Sequence, residues 1–170
     1  MEIIWKGKDI FSDIVPRMGA FHTVCTLLPI IGKRFQDAGL KDLCIESGVI
    51  VEGSVKGVLE GNKYNRAVQF HKLICEALLR LAWNGFGEWI ASKDKDNTFA
   101  SAMKLIEVFS DDISHKTFGE VLSGPSFEAL AILFQKYPRT NGGDLAAYWM
   151  TYTDVVQIML NLLRASREGD

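Results

Sequence analysis

Apolar residues recur every three or four positions through most of this chain, and glycine-rich or charged runs interrupt them at short intervals. Val24, Leu27, Leu28, Ile31 and Phe35 form the first such face, which predicts a helix from Ala20 or Phe21 to about Ala38. Pro29 falls inside it and predicts a kink or a broken hydrogen-bond ladder, while Gly39 supplies a left-handed stop before Leu40. A short helix is expected within Leu40–Ile50, although GVIV also suits extended chain. Another is expected over Ser54–Leu59, capped by Ser54 and ended by Gly61.

The clearest period is Ala67, Phe70, Ile74, Leu78 and Leu81, which predicts a core-facing helix from Asn62 or Asn65 to at least Trp83. A continuation through Phe86 to Ile90 is expected after Gly85 and Gly87. Ser92–Asn97 (SKDKDN) is a polar connector and the expected subdomain break. Beyond it, Asn97 or Thr98 opens a helix carrying Phe99, Met103, Ile106 and Phe109. SDDISH reads as a loop. Thr117 and Glu120 stand at capping-box spacing for a short helix to Leu122, and Gly124-Pro125 reads as a stop followed by a start. The next helix carries Phe127, Leu130, Ala131 and Phe134 up to Tyr137. RTNGG then reads as a loop, and Asp144 caps a last helix over about Leu145–Ala165. That helix is apolar on most sides, which places it centrally in a core or against a partner or a downstream segment. Glu2–Trp5 and the run from Ile14 are β-prone, with Pro16 restricting the second to an edge. The expectation is therefore one helical domain over 1–170, a mainly α, irregular multi-helix bundle with room for a short N-terminal strand or hairpin.

At 170 residues and 48% hydrophobic composition, the chain is long and apolar enough to bury a core. The formal net charge is −2; residues 1–81 carry 11 basic and 9 acidic side chains, and residues 82–170 carry 8 and 12. So small a swing gives no support to a dedicated nucleic-acid face. Three cysteines, Cys25, Cys44 and Cys75, each in apolar surroundings, read as buried thiols of a reducing compartment, cytoplasmic or nuclear. No opening apolar region reads as a signal peptide, and the longest apolar run is too short to span a bilayer.

Candidate chemistry is sparse. His22-x-x-Cys25 and His71-x-x-x-Cys75 each place a nitrogen and a sulfur ligand on one helical face, so His22, Cys25, His71 and Cys75 together have the composition of a tetrahedral zinc site. Structural zinc sites use tighter knuckle spacings, and packing beside the apolar stripes accounts for all four residues, so no metal or other cofactor is expected. Cys44 as a nucleophile would need a base that nothing in LCIES supplies. His115 beside Asp111 and Asp112 lacks the spaced ligands of a calcium loop. Asp9, Asp13, Asp37, Asp42, Glu46 and Glu52 read as capping or surface charges, because two-metal chemistry needs convergence that spacing does not establish. The glycines of GVIVEGSVKGVLEG do not have phosphate-loop spacing. Lys63, Arg66, Lys72 and Arg80 are interrupted by Glu60 and Glu76, which favours a solvated face. No catalytic residue is assigned.

Several runs carry a family resemblance: Gly19-x-Phe21-His22, Gly32-Lys33-Arg34-Phe35, Asp37-Ala38-Gly39-Leu40, Glu46-Ser47-Gly48, Glu52-Gly53-Ser54, Tyr64-Asn65-Arg66-Ala67 with His71-Lys72, and the closing Leu162–Asp170. Over about residues 11–170 the chain resembles multicopy transposon-derived, transposase-like proteins of animal genomes. The resemblance implies a helical portion of a longer protein, inactive by itself, with any RNase-H-type core elsewhere; nucleic acid enters as a partner only on this ground. Where such a core would place an acid before a helix, this chain has Gly19 and Ala20. A stand-alone helical interaction module and a metal-dependent nuclease or recombinase are the alternative functional classes.

Overall fold

The computed structural model describes residues 18–92 and 97–168. Among them are eight α-helices and one 3₁₀ turn, with no strand, so the mainly α multi-helix architecture holds. The strand expected at Glu2–Trp5 and the first four residues of the β-prone run Ile14–Gly19 lie outside the described residues, and Met18 and Gly19, which end that run, are not in a strand. The helices are α1 (Ala20–Phe35), α2 (Leu40–Glu46), α3 (Glu52–Leu59), α4 (Tyr64–Ser92), α5 (Asn97–His115), α6 (Phe118–Leu122), α7 (Pro125–Asn141) and α8 (Gly143–Glu168), with the 3₁₀ turn at Gln36–Ala38. The chain separates into two compact units, residues 1–70 with 158–170, and residues 71–157. This division falls within α4 and α8, not at the 92–97 connector, of which residues 93–96 lie outside the described residues.

In the first unit, α1 continues through Pro29 as one helix and buries Val24, Leu28, Ile31 and Phe35. The 3₁₀ turn follows, and Gly39 at φ 105° reverses the chain into α2, as a residue without a Cβ permits. Ser54 is not a cap. Helix α3 starts two residues earlier, and the Ser54 hydroxyl instead accepts from Lys63 Nζ at 3.2 Å. Helices α1 and α3 meet where Gly32 lies against Leu59. A Cβ on Gly32 would come within 1.9 Å of the Leu59 carbonyl oxygen. Gly57, on α3, has only the flexible stem of Lys63 at 3.4 Å and beyond. Gly32→Ala is therefore expected to lower unfolding stability by about 2 kcal/mol, the cost of overpacking a closed contact. Gly57→Ala should be neutral or stabilising through helix propensity. Paired thermal melts check both; equal melting points would show that the α1–α3 contact is looser than described.

In the second unit, α4 runs unbroken through Gly85 and Gly87. Phe86, Ile90 and Leu130 form a buried cluster, surrounded by Trp89, Met103, Leu105, Ile106, Phe109, Leu133, Phe134 and Tyr137. This aromatic shell packs α5 against α7. Gly85 admits the Tyr137 ring, whose hydroxyl lies 3.0 Å from where a Cβ would stand. The Thr117–Glu120 box forms: the Thr117 backbone N–H donates to Glu120 Oε2 at 2.8 Å and starts α6. Pro125 opens α7 after Gly124. SDDISH and the Arg139–Asn141 stretch are helical, in contrast to the loops expected there.

Candidate functional site

Two features of α4 stand out in the second unit, one on its inner side and one on its outer side. On the inner side, His71, Ile74 and Cys75 share a buried face set by the helical period. His71 Nδ1 lies 2.8 Å from the Tyr152 hydroxyl, and both residues are fully buried. One turn along, the Cys75 thiol makes a long donation to the Thr153 carbonyl at 3.9 Å. Thr153, also buried, donates its hydroxyl to the Met150 carbonyl at 2.8 Å. The polar groups thus tie α4 to α8 in an apolar interior, where each hydrogen bond is strengthened by the low local dielectric. Burial pushes the His71 imidazole down to about 4, so the ring is neutral at physiological pH. Burial, with Asp154 adding to it, pushes the Cys75 thiol up to about 11, and burial alone does the same for Cys44 of the first unit. Thiols held that high are poor nucleophiles at neutral pH.

A second tie joins α5 to the start of α7. Asp112 Oδ2 accepts from the buried Ser126 hydroxyl at 2.9 Å, and Asp112 Oδ1 lies 2.7 Å from Lys116 Nζ. Lys116 and then Ser126 hold the Asp112 carboxyl below the usual range. Gly124 gives α7 no side-chain cap, so an acid from α5 beside its first turn also complements the helix dipole. Sequence reading grouped Asp111, Asp112 and His115 as a loop cluster; the helix separates them. His115 and Asp111 face solvent as an exposed pair, and Asp112 turns inward.

The zinc candidates fall in different units: His22 is exposed and Cys25 half-buried on α1, while His71 and Cys75 are buried on α4. Among the described residues no group of three or more His, Cys, Asp or Glu side chains is arranged to hold a metal ion. Asp37, Asp42, Glu46 and Glu52 are all exposed, and Asp9 and Asp13 lie outside the described residues. In the first unit a groove of about 440 Å³ lies beside α2 and α3, with Val55 and Leu59 in its wall and Lys41, Lys56, Glu52 and Glu60 around it. Its charges are balanced, and Lys56 faces Glu60 at 3.7 Å, so the groove does not select a ligand of one sign.

On the outer side of α4, Leu73 is 48% exposed and Leu81 66% exposed, with exposed Ala77 between them. Spacing of four residues makes these three one continuous apolar ridge. Leu81 was expected in the core line through Ile74 and Leu78; the structure places it outward, because the inner line turns through His71, Cys75 and Phe86 instead. Beside the ridge run Lys72, Glu76, Arg80 and Trp83, the last 41% exposed. Glu76 and Arg80 pair at 2.7 Å in solvent. The apolar surround of the last helix is also only partly used within the fold: Tyr152, Val156 and Met159 are buried, while Leu145 and Ile158 face outward. Among the described residues no helix is long and apolar enough to cross a membrane.

No curated protein and no solved structure matches the chain. A family model, described as a domain of unknown function (DUF8702), matches residues 1–170, and the chain belongs to that family.

Proposed function

We propose that this chain is a helical, non-catalytic portion of a transposon-derived protein and that it acts by protein–protein contact through the outer face of α4. The observation that carries the contact role is the Leu73–Ala77–Leu81 ridge, a helical apolar stripe that the chain's own core does not cover. Isolated exposed leucines are ordinary on a soluble surface, whereas a periodic ridge on an otherwise amphipathic helix is the form that helix-mediated recognition takes. The non-catalytic part is supported by the interior: its imidazole is neutral and hydrogen-bonded, its thiols are held protonated, and its buried carboxylate is engaged by Lys116 and Ser126. The mobile-element origin rests on the sequence runs quoted above.

A photoreactive residue at position 77, introduced in cells, tests the contact role. The expected result is a discrete protein adduct that disappears in the Leu73→Glu/Leu81→Glu variant and is missing when the probe replaces exposed Lys104 or Lys136. Equal adduct formation at all three positions, or none at position 77, would overturn it. Incubation of the purified chain with magnesium or manganese and labelled DNA tests the nuclease alternative; the expected substrate remains intact, and metal-dependent cleavage lost in His71→Gln would reverse the assignment.

A further inference from the structure

We infer that the partner of the α4 ridge is a second copy of this chain, docked antiparallel about a two-fold axis that passes between the two α4 helices at the height of residues 77–78. The inference rests on the contact role proposed above and adds the identity of the partner. It comes from the coincidence of two symmetric patterns on one exposed face. Leu73 and Leu81 are equidistant from residue 77, with small Ala77 at the midpoint. In an antiparallel pair, each leucine then lies against the other leucine of the second copy, and the alanine lets the helices approach closely. Glu76 and Arg80, on the adjoining ridge, are equidistant from residue 78. The same axis therefore sets Glu76 of one copy opposite Arg80 of the other, twice.

One residue along a helix is about 1.5 Å, so a single axis satisfies the apolar and the charged pattern together. A ridge with the opposite order of requirements, such as two acids equidistant from the centre, would set like charges against each other. Chemical capacity is also present. Glu76 meets its own Arg80 through Oε1, and a guanidinium carries five N–H donors, so each has capacity for a neighbour across the axis without breaking the pair it already makes. Trp83 stands five residues beyond residue 78, at the height of Leu73 of the second copy, where its exposed edge extends the apolar contact. The ridge from Leu73 to Leu81 spans about 12 Å, which suits a modest, reversible interface more than an obligate one.

Sedimentation of the intact 19.0 kDa chain over a concentration series tests this. The expected result is a shift from one to two chain masses as concentration rises through the micromolar range, the weak end of protein–protein affinities. Glu76→Arg should weaken the dimer at least about tenfold, since it sets two arginines face to face at both symmetric positions. Glu76→Arg combined with Arg80→Glu should restore the dissociation constant to within about threefold, because the swap keeps the two-fold complementarity. Leu73→Glu/Leu81→Glu should abolish the dimer while circular dichroism stays unchanged. A monomer at every concentration overturns the inference, as does a dimer indifferent to Glu76→Arg or one that the double swap does not restore. The adduct at position 77 separates the two levels of the argument: a mass other than twice the chain removes the second copy as partner and leaves the contact role standing.

Discussion

Phe86→Ala is expected to lower the unfolding free energy of the second unit by about 4 kcal/mol, the middle of the range for truncating a buried aromatic ring. Phe86 is fully buried, and its ring lies 5.7 Å from Phe134, 5.6 Å from Tyr137, 5.6 Å from Trp83 and 6.0 Å from Trp89. Removing it takes away one member of an interlocked set, and edge-on and offset ring pairs each contribute beyond their buried area. The surrounding rings are large and come from two helices, so collapse into the vacated volume is limited. Urea unfolding followed by tryptophan fluorescence is the measurement, with Trp83 and Trp89 as local probes. Phe86→Leu should recover more than half of the loss. A cost below 1 kcal/mol for the alanine variant would mean that the aromatic shell is loosely packed.

Acidification should remove about 3 kcal/mol of stability through His71 alone. The imidazole titrates near 4 in the folded protein and near 6.5 when the chain is unfolded. Between those values the unfolded chain binds the extra proton and the folded chain does not, so stability falls as pH drops from about 6.5 toward 4. Above 6.5 both states are neutral at this residue, and below 4 both are protonated, so its contribution is flat on either side. The physical cause is desolvation: a charged ring at this depth has no water to replace. Chemical denaturation at a series of pH values should show the slope, and the His71 ring proton shifts in NMR should place the midpoint near 4. A midpoint near 6.5 would show a solvated ring. In His71→Gln the same pH window should lose this contribution to the slope.

Much of this fold was legible in the sequence because local chemistry and packing agree at several points. Gly124-Pro125 ends and begins helices as their backbones require, and the Thr117–Glu120 spacing closes into a cap. Gly39 adopts the left-handed turn that its place after the first apolar face predicted. The missed loops failed for one reason. Polar residues that favour turns can also turn their side chains back onto helix carbonyls. Arg139, Thr140 and Asn141 donate to the carbonyls of Gln135, Lys136 and Tyr137, and Ser114 donates to that of Ser110, so α5 and α7 continue through composition that reads as loop.

The two faces of α4 were legible to different degrees. The inner face was visible as a period, but a step of three or four residues leaves freedom in how the line drifts. Reading it through Leu81 places one residue of the outward ridge in the core, while His71 and Cys75, expected to pack beside the stripe, lie fully within the inner line. The pairing of His71 with Tyr152 spans 81 residues of sequence and leaves no local signal. The same holds for Asp112 and Ser126, which meet because α5, α6 and α7 fold back on each other. What sequence does offer, once the helix is placed, is the symmetry of Leu73, Ala77 and Leu81 with Glu76 and Arg80.

Both the core of the second unit and the proposed contact require that α4 bury its His71–Ile74–Cys75 side and turn the Leu73–Ala77–Leu81 ridge outward. The most direct test of that orientation is urea unfolding of Leu73→Gln/Leu81→Gln at low concentration, where the chain is a single copy. The predicted change lies within about 0.5 kcal/mol of the parent, as for surface positions generally. A loss of 4 kcal/mol or more, the size expected when two packed leucines are removed from an interior, would place the ridge inside the fold and contradict the account.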